Sequence, residues 1–172
     1  MPDFYVYLIS SLPMLHFGAK PPFTFAKFLE ICQDKIPKSD AGIIKSLTEG
    51  YDSEFSHPAL KRWRDFDTAL RNELVKIRAS RRHVDYLKYV RGDEYIEPYV
   101  IHIAMSAYRT PSILEAERSL DRERWRILDE LAVGHYFDLD FLIAYALKLL
   151  ILERWERINS ADKSRLLEEV LN

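Results

Sequence analysis

The chain has a single cysteine, Cys32, among its 172 residues. That excludes an intramolecular disulfide framework and any four-cysteine zinc site. Glycine is scarce, at 5 residues, and the hairpin dipeptides Asn-Gly and Asp-Gly are absent, which argues against a β-hairpin architecture. Neither sign of charge dominates: 25 Lys and Arg face 27 Asp and Glu, for a formal net charge of −2. A uniformly basic nucleic-acid coat and an acidic disordered tail are both excluded. No apolar run approaches the length of about 20 residues that a membrane helix needs. The longest, 141–152, is interrupted by Lys148 and reads as a buried core helix. The first residues lack a basic region and meet Pro13 early, a poor match to a secretory signal. A cytoplasmic location is the default expectation, consistent with an unpaired Cys32.

What is present is helical periodicity. An apolar content of 48% suffices for a sizeable core, and the length fits one helical domain, 1–172. Residues 4–10 are the only β-rich run, compatible with a short N-terminal strand or an opening helix. Thr24 caps a helix carrying Phe25, Phe28, Leu29, Cys32 and Ile36 on one face, stopped by Pro37. A short helix follows from Ser39 or Asp40 to Thr48, with Gly50 at its end. From Ser56 a long helix places Ala59, Trp63, Phe66, Leu70, Leu74 and Ile77 on one stripe, extendable through Val84 and Leu87 to a break at Gly92. Residues 96–108 form another helix, with Tyr99, Ile103 and Met105 among its buried candidates. Ser112 and Glu115 have capping-box spacing for a helix to about Val133, ended by Gly134. Asp138 caps the next helix, 139–158. The short link between the two predicts an antiparallel hairpin over 112–158. Ser160 caps a last helix through Leu171. The expectation is an all-α bundle of about six to seven helices, with subdomain joints at 50–55 and 91–94.

Catalytic and metal signatures are missing. The five histidines are dispersed, and Glu54 and His57 have Glu-x-x-His spacing in one copy only, where a di-iron bundle needs two. There is no nucleophile elbow and no phosphate-cradling glycine loop. Cys32 lies on an apolar stripe and reads as a small buried hydrophobe. No catalytic residue, cofactor or metal is expected.

Charge patterning says more. Between Leu60 and Arg91 ten basic residues meet four acids, a local charge of +6 in a slightly acidic chain. Arg78, Arg81 and Arg82 with nearby Tyr86 read as an exposed docking face for an acidic protein. The competing readings are an ordinary solvated helix face and a nucleic-acid surface in which aromatics stack bases. Nucleic acid is the less favoured partner. On the helix from Ser112, Glu117, Asp121 and Arg124 share one face beside an apolar stripe. With Arg118 and Arg154 they read as an interhelical ion-pair network. Arg118, Arg122 and Arg154 are the candidate partners of Glu117, Asp121 and Glu156. A catalytic carboxylate pair, Glu117 and Asp121, is the alternative.

Four stretches together carry a family resemblance. They are Tyr5-Val6-Tyr7-Leu8-Ile9-Ser10-Ser11-Leu12-Pro13; Pro22-Phe23-Thr24-Phe25 leading to Phe28-Leu29; Ala116 to Asp121 with Trp125 and Leu128-Asp129-Glu130; and Phe137-Asp138-Leu139-Asp140 with Tyr145, Lys148-Leu149 and Glu153-Arg154-Trp155. The chain resembles an uncharacterised bacterial family encoded in V-type ATPase operons. The resemblance implies an all-helical, non-catalytic subunit or accessory factor of a rotary ATPase engaged in ion transport, similar in role to the C-type (eukaryotic d-type) helical subunit of such enzymes. Its partners would be the rotor shaft or the membrane ring, which would make the chain peripheral at the inner membrane. ATP hydrolysis would belong to other subunits.

Overall fold

The computed structural model describes residues 5–48, 57–92 and 97–171, with side chains described to 162. Among them are seven α-helices and no strand: α1 (Val6–Ser11), α2 (Phe25–Cys32), α3 (Lys38–Lys45), α4 (Pro58–Arg82), α5 (Pro98–Arg109), α6 (Ile113–Leu131) and α7 (Leu139–Leu171). The fold is all-α, as the periodicity predicts. Two compact units account for the chain, 1–56 with 128–172, and 57–127. The stretches 50–55 and 93–94, read as joints, lie outside the described residues, as do Glu54 and Gly50.

The first unit is organised by α7. Leu142, Ile143, Ala144, Tyr145, Ala146 and Leu147 are all buried. Six consecutive buried positions cover more than a full helical turn, so this segment is enclosed on every side. Around it gather Tyr5, Leu8, Ile9, Phe25, Phe28, Cys32, Ile36 and Ile44. Phe28 is the hinge of the aromatic packing, 5.4 Å from Tyr145, 6.3 Å from Phe25 and 6.5 Å from Phe23, centroid to centroid. The Tyr145 hydroxyl donates to the Pro13 carbonyl at 2.9 Å. The Tyr5 hydroxyl donates to Asp40, and the Tyr5 N–H to the Phe137 carbonyl. Burial pushes Tyr145 up to about 12, with Cys32 adding to the effect. Burial likewise raises the Cys32 thiol to about 11, against a smaller opposing pull from Lys35, so it stays a protonated core group.

Several element boundaries depart from expectation. Residues 6–11 are helix, with no strand among the described residues to pair with; a helix satisfies its backbone groups internally. The second helix stops at Cys32, because Gln33 turns extended and Asp34 takes a left-handed φ of 61°. Ile36 reaches the core regardless. Ser160 opens no new helix. α7 runs unbroken for 33 residues, since no Gly or Pro interrupts 139–171. Thr24, Ser112 and Asp138 cap as predicted, accepting from the N–H groups of Lys27, Glu115 and Phe141 at 3.1, 3.3 and 3.2 Å. Residues 132–138 join α6 to α7, and Lys148 of α7 meets Asp129 of α6 at 2.5 Å.

The second unit is built on α4, whose main partner is α5. Pro58 occupies its first turn, and the His57 Nδ1 accepts from the Ala59 N–H at 3.3 Å. The buried face of α4 carries Ala59, Leu60, Phe66, Leu70 and Ala79, while Trp63, Leu74 and Ile77 are half-buried. On α5 the buried residues are Val100, Ala104 and Ala107; Tyr99, Ile103 and Met105 are half-buried. Small alanines alternate with the larger buried side chains Leu60, Phe66, Leu70 and Val100, and the aromatics Trp63 and Tyr99 stay half-buried. Buried Phe66 lies 6.1 Å from Trp63 and 6.3 Å from Tyr99, and the Arg126 guanidinium sits over the Tyr99 ring at 5.9 Å.

Candidate functional site

The polar groups of α4 divide into a buried set and an exposed set. The buried set holds the helix in place. Asp67 is 4% exposed and Asp121 1%, so each carboxylate needs a cation. Arg124 supplies it to both: Nε donates to Asp67 Oδ1 at 2.8 Å and Nη1 to Asp121 Oδ1 at 2.9 Å. Arg71, one turn along α4, meets the other Asp67 oxygen at 2.7 Å. Burial works to lower the Arg124 guanidinium, but the two adjoining carboxylates outweigh it and the net direction is up. The network is thus a fixed tie between α4 and α6 within this unit.

Sequence reasoning placed Asp121 and Arg124 on one face of α6 and missed Asp67. The available signal was Arg71 four residues after Asp67, a spacing that brings opposite charges together on a helix. Glu117 is half-buried and Arg118 exposed on the same helix, and both are engaged in further interactions. Arg154 lies in the first unit, its guanidinium 5.9 Å from the Trp155 ring. Glu156, offered an arginine by the sequence reading, meets Lys20 at 3.8 Å.

Of the exposed set, the residues read as a docking face lie at or just beyond the C-terminal end of α4. Arg78, Arg81 and Arg82 are exposed, and Tyr86 is 37% exposed. Among the described residues none of the three arginines is held in an ion pair. Arg81 and Arg82 lie in the last turn, where cations complement the negative end of the helix dipole. α4 does not continue through Val84 and Leu87. His83 adopts the left-handed conformation at φ 53°, its N–H donates to the Ser80 carbonyl at 3.3 Å, and the Val84 N–H returns to the Ala79 carbonyl at 3.1 Å. These paired bonds make a Schellman termination. Val84 and Leu87 therefore leave the apolar stripe and are 46% and 63% exposed; Tyr89, after them, is 59% exposed.

The ensuing loop is tied down. Asp85 accepts from the Leu87 N–H at 3.0 Å, starting a 3-10 turn over Tyr86–Lys88. Buried Asn72 of α4 pairs with the Arg91 backbone, donating to its carbonyl at 2.6 Å and accepting from its N–H at 3.1 Å. Lys76 is held by buried Glu73 at 2.9 Å and lies 5.9 Å from the centre of the Tyr86 ring.

Residues 98–172 match a family model. The description of that family is "Protein of unknown function (DUF2764)". The matched stretch opens at the first residue of α5 and contains α6 and α7, including Asp121 and Arg124. The basic end of α4 precedes it. No curated protein matches the chain, and no solved structure does. Among the described residues no group of three or more His, Cys, Asp and Glu is arranged to hold a metal ion, and no helix is long and apolar enough to cross a membrane.

Proposed function

We propose that the chain is a non-catalytic helical subunit or accessory factor of a V-type rotary ATPase, similar in role to the C-type helical subunit, that docks an acidic partner through Arg78, Arg81, Arg82 and Tyr86. The observation that carries the docking role is this cationic helix end, exposed on an element whose orientation within its unit is fixed by the buried Asp67–Arg124–Asp121 tie. A contact that transmits or resists force needs both a complementary surface and a stiff support. Support for the ATPase setting comes from the motif resemblance. Three of its four stretches, at 5–13, 22–29 and 137–155, contribute Tyr5, Phe25, Phe28 and Tyr145 to one core. The shared motif residues thus specify a packed scaffold, as a structural subunit requires. The setting would be the cytoplasmic side of the membrane, without a span of its own.

The test is co-purification of the tagged full-length chain with V-type ATPase subunits under native conditions. Rotor-shaft or membrane-ring subunits in stoichiometric amounts are expected, and their absence at low ionic strength would remove the ATPase assignment. A second reading, single-stranded nucleic-acid binding, draws on Tyr86 and Tyr89 exposed beside Arg82 and Lys88. Oligonucleotide affinity that falls steeply with salt would favour it.

A further inference from the structure

The loop after α4 combines three properties seldom found together on a surface that stays in water. It exposes apolar side chains, with Leu87 and Tyr89 more than half exposed and Val84 nearly so. It is cationic: residues 78–91 contain five arginines or lysines and one acid, Asp85. It is also ordered, through the Schellman bonds at His83, the Asp85 cap and the two hydrogen bonds from Asn72 to the Arg91 backbone. Exposed apolar side chains gain nothing from being held in water, and ordering their backbone costs about 1–2 kcal/mol per residue in conformational entropy. Pre-ordering lowers the cost of binding when a partner covers them.

We propose that residues 84–89 form a preformed docking platform for an acidic protein segment whose carboxylates are interleaved with apolar side chains. Val84, Leu87 and Tyr89 make the apolar contact, Arg78, Arg82 and Lys88 receive the carboxylates, and Asn72 acts as a positioning residue. The inference rests on the docking reading of α4 and extends it, since the arginines alone would recognise any anion. Charge complementarity selects an acidic occupant, and the exposed apolar residues select one that also carries leucines or aromatics. Loop 83–92 contains no strand, so recognition proceeds through side chains and not by strand addition.

The test uses the full chain and two synthetic peptides, one of glutamate and leucine, the other with serine at each leucine position. Fluorescence anisotropy is expected to show the leucine-bearing peptide binding about tenfold more tightly. Leu87→Ser with Tyr89→Ser changes only exposed side chains and is expected to abolish that preference while leaving the salt dependence of binding unchanged. Asn72→Ala is expected to weaken the leucine-bearing peptide several-fold and to speed amide exchange at residues 84–91. Equal binding of the two peptides, no binding of either, or a preference that survives in the double variant would each overturn the proposal. So would stronger, Leu87-dependent binding to phosphatidylglycerol vesicles, which would assign the face to a lipid surface. Loss of ATPase co-purification with the peptide preference intact would remove the ATPase assignment alone. The reverse pattern would remove the platform alone.

Discussion

Replacing Arg124 by Met exposes how far the second unit depends on its buried tie. The substitution keeps a long apolar stem and removes the guanidinium. Two charge-assisted hydrogen bonds disappear, at 2.8 Å to Asp67 and 2.9 Å to Asp121. Both carboxylate side chains remain inside, 6% and 2% exposed. Asp67 retains Arg71, whose side chain is 63% exposed and so compensates weakly through solvent. Breaking a buried pair from one side costs about 3–5 kcal/mol, mostly as the desolvation left unbalanced on the partner. For a chain of this size each kcal/mol lowers the melting temperature by about 2–4 °C, giving a fall of about 6–20 °C. The assay is thermal and urea denaturation at neutral pH, followed by far-ultraviolet circular dichroism, with Arg126→Met as control. Arg126 is half exposed, pairs with Glu123 at 3.0 Å and lies over the Tyr99 ring, so its loss is expected to cost about 1–2 kcal/mol, below the range for Arg124. If the two variants lose the same stability, the buried network does not hold α4 to α6.

Other consequences are as direct. His83→Gly relieves a left-handed φ of 53° and is expected to stabilise by about 0.5–1 kcal/mol, the strain removed exceeding the added chain entropy; a lower urea midpoint would contradict the termination described. Leu149→Ala deletes a side chain with 0% exposure and is expected to cost about 2–5 kcal/mol, read as a shift in the same midpoint. Cys32 titrates from an ordinary value of 9.0 to about 11 on folding. Above pH 9.0 the unfolded chain loses this proton first, so its stabilising contribution is complete below that pH and lost by about 11. Cys32→Ala is expected to flatten the fall in stability across that window, and an unchanged slope would place the thiol in solvent.

The elements that were legible are those whose information is local. The run 141–152 declares a core helix by composition, and Leu142, Ala146 and Leu149 in it have no exposure at all. Thr24, Ser112 and Asp138 are oxygens one turn ahead of the N–H they cap, so spacing alone finds them. What stayed hidden depends on contacts distant in sequence or on backbone choices without a compositional mark. Asp67 reads as a surface acid on a basic helix until Arg124, 57 residues away, reaches it. The end of α4 lacks the glycine that marks most left-handed terminations; His83 takes that conformation instead, and Val84 and Leu87 continue the helical spacing on paper while leaving the core. Residues 4–10 were ambiguous because a run of seven residues is too short for periodicity to separate strand from helix. The exposed arginines at the end of α4 were legible as a charge excess, whereas the exposure of Val84 and Leu87 beside them required the helix end to be known.

The central claim, that the end of α4 is a docking face for an acidic ATPase partner, is tested most directly by one titration. The full chain and its Arg78→Glu, Arg82→Glu double variant are bound to a reconstituted V-type ATPase subcomplex over a salt series, with circular dichroism to verify the fold. Charges of this kind act chiefly on association rate and salt sensitivity, and screening lengths grow from about 8 Å at physiological salt to about 30 Å at 0.01 M. The double variant is expected to retain its helicity and to bind more weakly, with the largest deficit at low ionic strength. Identical binding by the two proteins at every salt concentration would contradict the claim.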